Sequence, residues 1–296
     1  MRIKLTILLF IGVIFNSLGQ HEFQFTQYNL IPAIYNPAAT GERNSSTINL
    51  NHREQWMGLE GAPSQTFLNF ESSNQEQKLG YGISFIQEQI GPVNDLTVNA
   101  NISYRLKLSE HDFLAIGLKG TVEFWNLDLF DINQYQNDPV LYGDDTNQTY
   151  FNIGAGLWYQ RKGLTFGFSI PYFIKHDYSG TGQDASIQEE MHLYYNLAYD
   201  FKLADYLSMT PSILVRQIQD RPTTTDFWLT GDIYNNFKLG LMYRTSNAMG
   251  IMAGIQATKS IYIGYSYDQE TTDVNATNRG SHEFALRFDF AKSKQN

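Results

Sequence analysis

Cysteine is absent from the 296-residue sequence, and charged residues make up only 17% of it. The absence of cysteine excludes disulfides and every redox or metal site built on thiols. Beyond the first 19 residues no apolar run reaches roughly 18 residues, which argues against a transmembrane helix. The formal net charge is −9 and no basic patch is visible, which disfavours nucleic-acid binding.

Motifs for catalysis and cofactor binding are also missing. No HExxH, GxSxG or phosphate-cradling glycine loop occurs, and the six histidines are scattered singly. We therefore predict that the protein is not an enzyme and has neither a cofactor nor a metal site. A barrel enzyme with a serine–histidine pair is an alternative, although no serine lies beside a histidine at a usable distance.

The first 19 residues have the order of features that marks an export signal. Arg2 and Lys4 precede an apolar stretch, and small residues at positions 17 and 19 frame a cleavage site. This arrangement predicts a secretory signal peptide over 1–19; a membrane-anchoring helix is the alternative.

The rest of the chain alternates between apolar and polar residues. In SHEFALRFDF (281–290), one parity holds Phe284, Leu286, Phe288 and Phe290, and the other holds mostly charged residues. A β-strand with this pattern has one apolar face and one polar face. We interpret these four residues as the terminal-strand signal for insertion into a membrane.

Fourteen segments with this alternation follow one another. Most reach the roughly 9 to 11 residues that a tilted strand needs to cross a bilayer, and bacterial outer-membrane barrels have an even number of strands. The segments are 45–57, 64–72, 79–88, 95–107, 112–124, 148–160, 163–174, 190–202, 205–216, 225–234, 236–245, 248–257, 259–268 and 280–290.

The lengths of the connections also alternate. Connections after even-numbered segments are short, apart from 73–78, whereas those after odd-numbered segments are longer, as at 125–147, 175–189, 217–224 and 269–279. A soluble sandwich would not sort its connections in this way. We predict an all-β fold, a transmembrane antiparallel β-barrel of about 14 strands with short periplasmic turns and longer extracellular loops. The apolar parity would then face outer-membrane lipid.

The predicted organisation has four parts. A signal peptide (1–19) is followed by an N-terminal periplasmic or plug segment (20–44), the outer-membrane β-barrel (45–290) and a polar C-terminal tail (291–296).

The stretch FTQYNLIPAIYNPAATG (25–41) is the least strand-like part of the mature chain. Its prolines break a strand ladder, yet its apolar residues are too many for a disordered tail. We predict that it tucks into the periplasmic mouth of the barrel or docks on a periplasmic partner; an ordered turn leading into the first strand is the alternative. The candidate residues are Phe25, Gln27, Tyr28, Pro32, Asn36, Pro37 and Gly41.

Two further stretches admit two interpretations each. In HREQWMGLEGAP (52–63), Trp56 could contact a partner or act as an anchor at the membrane interface, and the interface role is favoured. The acidic loop 127–145 could bind Ca²⁺, but its spacing does not match a calcium-binding loop and a solvated external loop is favoured.

Three stretches together resemble the PorP/SprF family, outer-membrane proteins of the type IX secretion and gliding machinery of Bacteroidetes. They are 25–41, 52–63, and IGYSYD (263–268) followed by SHEFALRF. The second stretch resembles the family's motif at the turn between the first two strands. Its matching residues are Arg53, Gln55, Trp56, Gly58, Gly61, Ala62 and Pro63.

The resemblance implies a location and a function. It implies an outer-membrane barrel that works with type IX translocon components in the export or surface anchoring of adhesin-like cargo. It implies no catalytic activity. The alternative is a transport channel for hydrophobic or small polar solutes, which a barrel of 14 strands with an N-terminal plug would also fit.

Overall fold

Antiparallel strands form a closed ring in the computed structural model, which describes residues 24–43, 45–74, 78–128, 146–179, 186–189, 191–219, 221–271 and 278–290. The strands of the wall are β1 (Ser46–Glu54), β2 (Ser64–Ser73), β3 (Leu79–Ile90), β4 (Val93–Lys107), β5 (Asp112–Leu127), β6 (Thr146–Arg161), β7 (Leu164–Ile170), β10 (His192–Tyr199), β11 (Phe201–Ala204), β12 (Leu207–Ile218), β13 (Thr224–Ile233), β14 (Phe237–Arg244), β15 (Ala248–Gln256), β16 (Ile261–Glu270) and β17 (Ser281–Phe290). A separate hairpin of β8 (His176–Ser179) and β9 (Ser186–Glu189) lies between β7 and β10 in the chain.

The wall has fourteen strand positions because β10 and β11 share one of them. They are separated at Asp200, and both pair with β12. The ring closes where β1 pairs with β17, from Ser46 opposite Phe290 to Glu54 opposite His282. Closure leaves no unpaired edge among the described strands of the wall, and a wall in hydrocarbon requires this because lipid cannot satisfy backbone hydrogen bonds.

Alternating residues of each strand face opposite sides of the wall. On β17, Phe284 and Leu286 are exposed on the outside, whereas Glu283 is completely buried on the inside. The same division holds on β1, where Leu50 is exposed and Arg53 is buried. The prediction that the apolar parity faces the outside of the barrel is therefore confirmed.

The outward-facing residues form an apolar band around the ring. They include Leu50, Phe70, Ile83, Ile102, Leu118, Ile153, Phe166, Leu197, Phe227, Leu241, Ile251, Ile263 and Leu286. Buried polar residues line the inside, among them Asn49, Asn69, Ser84, Asn99, Thr121, Asn152, Ser212 and Ser266. An apolar exterior around a polar interior is the arrangement of outer-membrane barrels, and the predicted fold class is confirmed.

The two ends of the ring differ in the length of their connections. At the end that also holds the start of β1 and the end of β17, the connections are 74–78, 108–111, 162–163, 205–206, 234–236 and 257–260. At the other end, most are longer: 55–63, 128–145, 171–191, 219–223 and 271–280. The turns 91–92 and 245–247 are short exceptions at that end. We call the two ends the short-turn end and the long-loop end.

Some predicted features lie outside the described residues. They are the signal peptide (1–19), the polar tail (291–296) and nearly all of the acidic loop 127–145. Within the described ranges, no helix is long and apolar enough to cross a membrane. The segment predicted over 163–174 is shorter in the structure because β7 ends at Ile170, directly before Pro171, which has no backbone N–H to donate.

The apolar band predicts that the loss of stability caused by an introduced charge depends strongly on where the charge is placed. Leu241→Arg places a cation near the middle of β14, facing lipid, and we expect it to destabilise the inserted barrel by about 2–4 kcal/mol. Leu59→Arg is the control, since Leu59 is also exposed but lies in the loop 55–63. The heat-modifiable mobility of the folded barrel on gels and its unfolding in urea measure the difference. Equal stability of the two variants would contradict a lipid-facing band.

Candidate functional site

The N-terminal segment, residues 24–43, lies inside the ring. It contains three short 3-10 turns, Tyr28–Leu30, Pro32–Ile34 and Pro37–Ala39, and proline begins two of them because its fixed φ suits a first helical position. Nearly all of its residues from Phe25 to Gly41 are buried; Asn29 is exposed. The segment is therefore an ordered part of the barrel interior.

Thr26 is held in a buried network with an arginine and an aspartate of the wall. Arg53 of β1 donates two hydrogen bonds to the Asp268 carboxylate of β16, at 2.6 and 2.9 Å. The Thr26 hydroxyl donates to the same carboxylate at 2.6 Å, and its oxygen accepts from Arg53 Nη1 at 2.6 Å. All three residues are buried, so the charges are compensated by each other rather than by water.

Glu283 of β17 binds the backbone of the segment. Its carboxylate accepts from the backbone N–H of Thr26 at 2.5 Å and of Gln27 at 3.2 Å, and from Asn51 Nδ2 at 3.2 Å. The Gln27 side chain donates to the backbone carbonyl of Glu283 at 3.3 Å. Hydrogen bonds to backbone groups fix the position of the segment independently of its side chains.

These residues lie where the barrel closes. We call Thr26, Gln27, Arg53, Asp268 and Glu283 the seam cluster, because β1 and β17 form the closing pair and β16 is the neighbour of β17. The three stretches that the sequence analysis singled out each contribute to it. The N-terminal segment is thereby bonded to the first strand and to the last two strands of the wall.

A second buried network lies further round the ring. Asp226 of β13 accepts from Arg216 of β12 at 2.8 Å and from Arg244 of β14 at 2.8 and 3.1 Å. Arg244 also donates to the Gln24 side chain at 3.0 Å. We call these four residues the Asp226 cluster; it connects the described start of the segment to β14 of the wall.

Apolar contacts fill the space between the two clusters. The ring centroid of Phe25 lies 5.9 Å from that of Phe67, and the ring centroid of Tyr35 lies 5.3 Å from that of the wall residue Tyr194. Other inward-facing apolar residues complete this core: Ile86, Leu214, Trp228, Met242, Met252 and Tyr262. Part of the lumen thus has the character of a hydrophobic core.

Towards the short-turn end the segment contacts the wall through its backbone. The carbonyl of Thr40 accepts from the Ser103 hydroxyl at 2.7 Å, and the N–H of Gly41 donates to Glu71 at 3.2 Å. A Cβ added to Gly80 would lie 2.1 Å from the Thr40 oxygen, and one added to Gly117 would lie 2.2 Å from the Ala38 nitrogen. Wall glycines therefore provide the space that the segment occupies.

Asn36 is a further anchor of the segment. Its Nδ2 donates to the backbone carbonyls of Leu157 at 2.9 Å and Phe168 at 3.3 Å, and its Oδ1 accepts from the N–H of Ala38. Pro37 is buried beside it, and Pro32 is partly exposed.

Burial raises the pKa of the Glu42 carboxyl at the short-turn end, against the opposing effect of Arg43 and Arg105. Glu42 is hydrogen-bonded to Gln160 of β6.

The loop 55–63 is separate from the lumen and lies at the long-loop end. Gly58 and Gly61 have φ angles of 92° and 72°, in the left-handed region.

Hydrogen bonds hold the loop to its neighbours. The backbone of Met57 bonds to Gly280 and Arg279, and the Trp56 indole donates to Glu270 at 2.7 Å. The Gln55 N–H donates to the Pro63 carbonyl, so the loop has a defined conformation. Arg53, by contrast, belongs to the seam cluster and not to the turn.

The sequence analysis did not assign Arg216, Asp226 or Arg244 to a site. Each occupies one of the alternating positions of its strand that face the lumen, and the sequence pattern indicates this much. Their contact depends on the register of three adjacent strands, which periodicity does not give. Among the residues that the structure describes, no group of three or more histidine, aspartate or glutamate side chains is arranged to hold a metal ion.

Comparison with known protein families matches residues 17–288 to the type IX secretion system membrane protein PorP/SprF. The chain belongs to the PorP/SprF family. The match spans nearly the whole chain and confirms the resemblance found in its motifs. A search of curated proteins finds no match.

Several solved outer-membrane structures are similar to this family member. The Ralstonia pickettii toluene transporter TbuX has 10% identity and a TM-score of 0.53, over 87% of this chain and 93% of that one. The CymD monoaromatic hydrocarbon channel has 11% identity and a TM-score of 0.53, over 90% and 94%. At these identities the likeness concerns the fold alone. Together with the family, it identifies the chain as an outer-membrane β-barrel protein.

The seam cluster predicts a large cost for removing its arginine. Arg53→Ala leaves two buried carboxylates without their cation, and we expect a loss of about 3–5 kcal/mol in the free energy of unfolding. Arg161→Ala is the control, because Arg161 is 58% exposed in its pair with Asp112 and should cost about 1 kcal/mol or less. Urea unfolding in detergent or vesicles compares them. Similar losses for both variants would contradict the role of the cluster.

The contact between Gly117 and the segment predicts a change in protease sensitivity. Gly117→Val should displace the segment, since the new side chain would overlap Ala38, and chymotrypsin should then cleave faster at Tyr28 or Tyr35. Gly120→Val is the control on the same strand, because nothing lies within 4 Å of a Cβ added there. Equal cleavage rates in the two folded variants would show that the segment does not depend on this contact.

Proposed function

We propose that this family member acts through protein partners of the type IX secretion system, in the export or surface anchoring of adhesin-like cargo. The family supports an association with the secretion machinery. The type of cargo and the step that the barrel serves belong to the proposal. In this role the barrel has no catalytic activity of its own.

The observation that supports this proposal best is the occupied lumen. Phe25 to Tyr28 are buried between the seam cluster and the apolar wall residues, and Ala38 to Gly41 lie against β2 to β5. A solute crossing this part of the interior would have to displace the segment and break several buried charged hydrogen bonds. Binding of protein partners to the outer surfaces of the barrel requires no movement of the segment.

The loop 55–63 is a candidate surface for a partner. Its backbone is bonded to residues 279–280 on one side and to Gly91 on the other. It nevertheless leaves Met57 and Leu59 about two-fifths exposed. Apolar side chains held on a fixed backbone favour protein contact, because binding then costs little conformational entropy. With Trp56 bonded to Glu270, this loop is our preferred contact site for cargo at the cell surface.

A solute channel is the alternative function. TbuX and CymD are named as a toluene transporter and a hydrocarbon channel, but their likeness to this chain is one of fold. The two functions differ in what the isolated barrel does.

Co-purification from native membranes and planar-bilayer recordings separate them. We expect translocon components or an adhesin to co-purify with the tagged barrel, surface adhesin to be lost on deletion, and the purified barrel to carry no steady current. Met57→Ser/Leu59→Ser should reduce recovery of the partner without changing the heat-modifiable mobility of the barrel. Steady conductance with no co-purifying partner would overturn the secretion proposal in favour of the channel.

A further inference from the structure

The direction of the N-terminal segment through the barrel can be read from its contacts. At its described start, Gln24 bonds to Arg244, which is the last residue of β14 and lies at the long-loop end. Thr26 bonds to Asp268 and Glu283, each two residues from the long-loop end of its strand. The upstream end of the segment therefore lies near the long-loop mouth.

The downstream end of the segment lies at the opposite mouth. Gly41 bonds to Glu71, two residues from the short-turn end of β2. Thr40 contacts Gly80, the second residue of β3, and the chain then continues into β1 at its short-turn end. The contacts of Asn36 and Ala38 with β5, β6 and β7 lie between these two ends.

The segment therefore passes lengthwise through the ring instead of entering and leaving by one mouth. This differs from the expectation that it tucks into the periplasmic mouth. The physical reason is that the charged partners of Thr26 and Gln27 lie at the far ends of β1, β16 and β17, so these contacts form only if the segment reaches the long-loop end. A segment confined to the short-turn mouth would leave Asp268 without Thr26, and Glu283 without the backbone N–H groups of Thr26 and Gln27.

We propose that the upstream end of this segment, at Gln24, is accessible from the cell surface. Short turns of outer-membrane barrels are periplasmic and long loops are extracellular, which places the mouth beside Arg244 outside. Gln24 is half-buried, whereas Phe25 is completely buried, so the boundary between solvent and barrel interior falls between these two residues. The rim is low at this point, because the turn 245–247 is short.

The proposal places the start of the N-terminal segment among the parts of the barrel that are exposed at the cell surface. The start of the segment lies at the outer mouth, beside the start of β13 and the end of β14. This inference rests on the outer-membrane location and the direction of the segment. It does not depend on the secretion role, so either can fail without the other.

Cysteine labelling tests the proposal cleanly, because the natural sequence has no cysteine. Gln24→Cys in the full-length protein is treated with a membrane-impermeant maleimide on intact cells and again after the outer membrane is permeabilised. Glu60→Cys, in the exposed loop 55–63, is the external control, and Asn235→Cys, in the turn 234–236, is the periplasmic control. Thr40→Cys, which is buried, is the control for an enclosed position.

We expect Gln24→Cys to be labelled on intact cells to the same extent as Glu60→Cys, with no further gain on permeabilisation. Labelling only after permeabilisation, as for Asn235→Cys, would place this end in the periplasm and overturn the proposal. Protection under both conditions, as for Thr40→Cys, would also overturn it, because the outer mouth would then be covered. Heat-modifiable mobility verifies that each variant is folded. Glu22→Cys, upstream of every described contact, repeats the test if Gln24→Cys does not fold.

Discussion

Backbone hydrogen bonding in hydrocarbon is the constraint on which this structure depends. Lipid offers no partner for an N–H or C=O group, so the sheet must close on itself, and the pairing of β1 with β17 achieves this. Closure divides every strand into a lipid-facing and a lumen-facing set of residues. The same closure creates an interior in which charged residues need protein partners. The N-terminal segment supplies many of them.

The fold could be predicted from the sequence to a large extent, because apolar and polar residues alternate along the strands as the outer and inner faces of the wall do. Phe284 and Leu286 face outwards and Glu283 faces inwards, as their parity indicates. The number of strands followed from counting segments. The interruption at Asp200 and the early end of β7 were not visible, since both depend on local departures from a regular ladder that periodicity averages out.

The interior was harder to predict. The motif residue Arg53 was assigned to a turn, yet it lies in the lumen and binds Asp268, which is 215 positions away in the chain. Such a contact depends on ring closure and strand register, which single-sequence patterns do not specify. The apolar residues of the segment correctly suggested an ordered element. How far the segment extends through the barrel depends on charged partners that lie far away in the chain, and no local pattern in 25–41 contains that information.

The charges of the two clusters also determine the electrostatic character that the lumen would have without the segment. Their ionisable side chains on the wall are Arg53, Arg216, Arg244, Asp226, Asp268 and Glu283. If the segment were withdrawn, this level of the tube would present three guanidinium groups and three carboxylates at close quarters. Because these charges are equal in number, they would favour neither cations nor anions, and a lumen without the segment would have weak ion selectivity at this level.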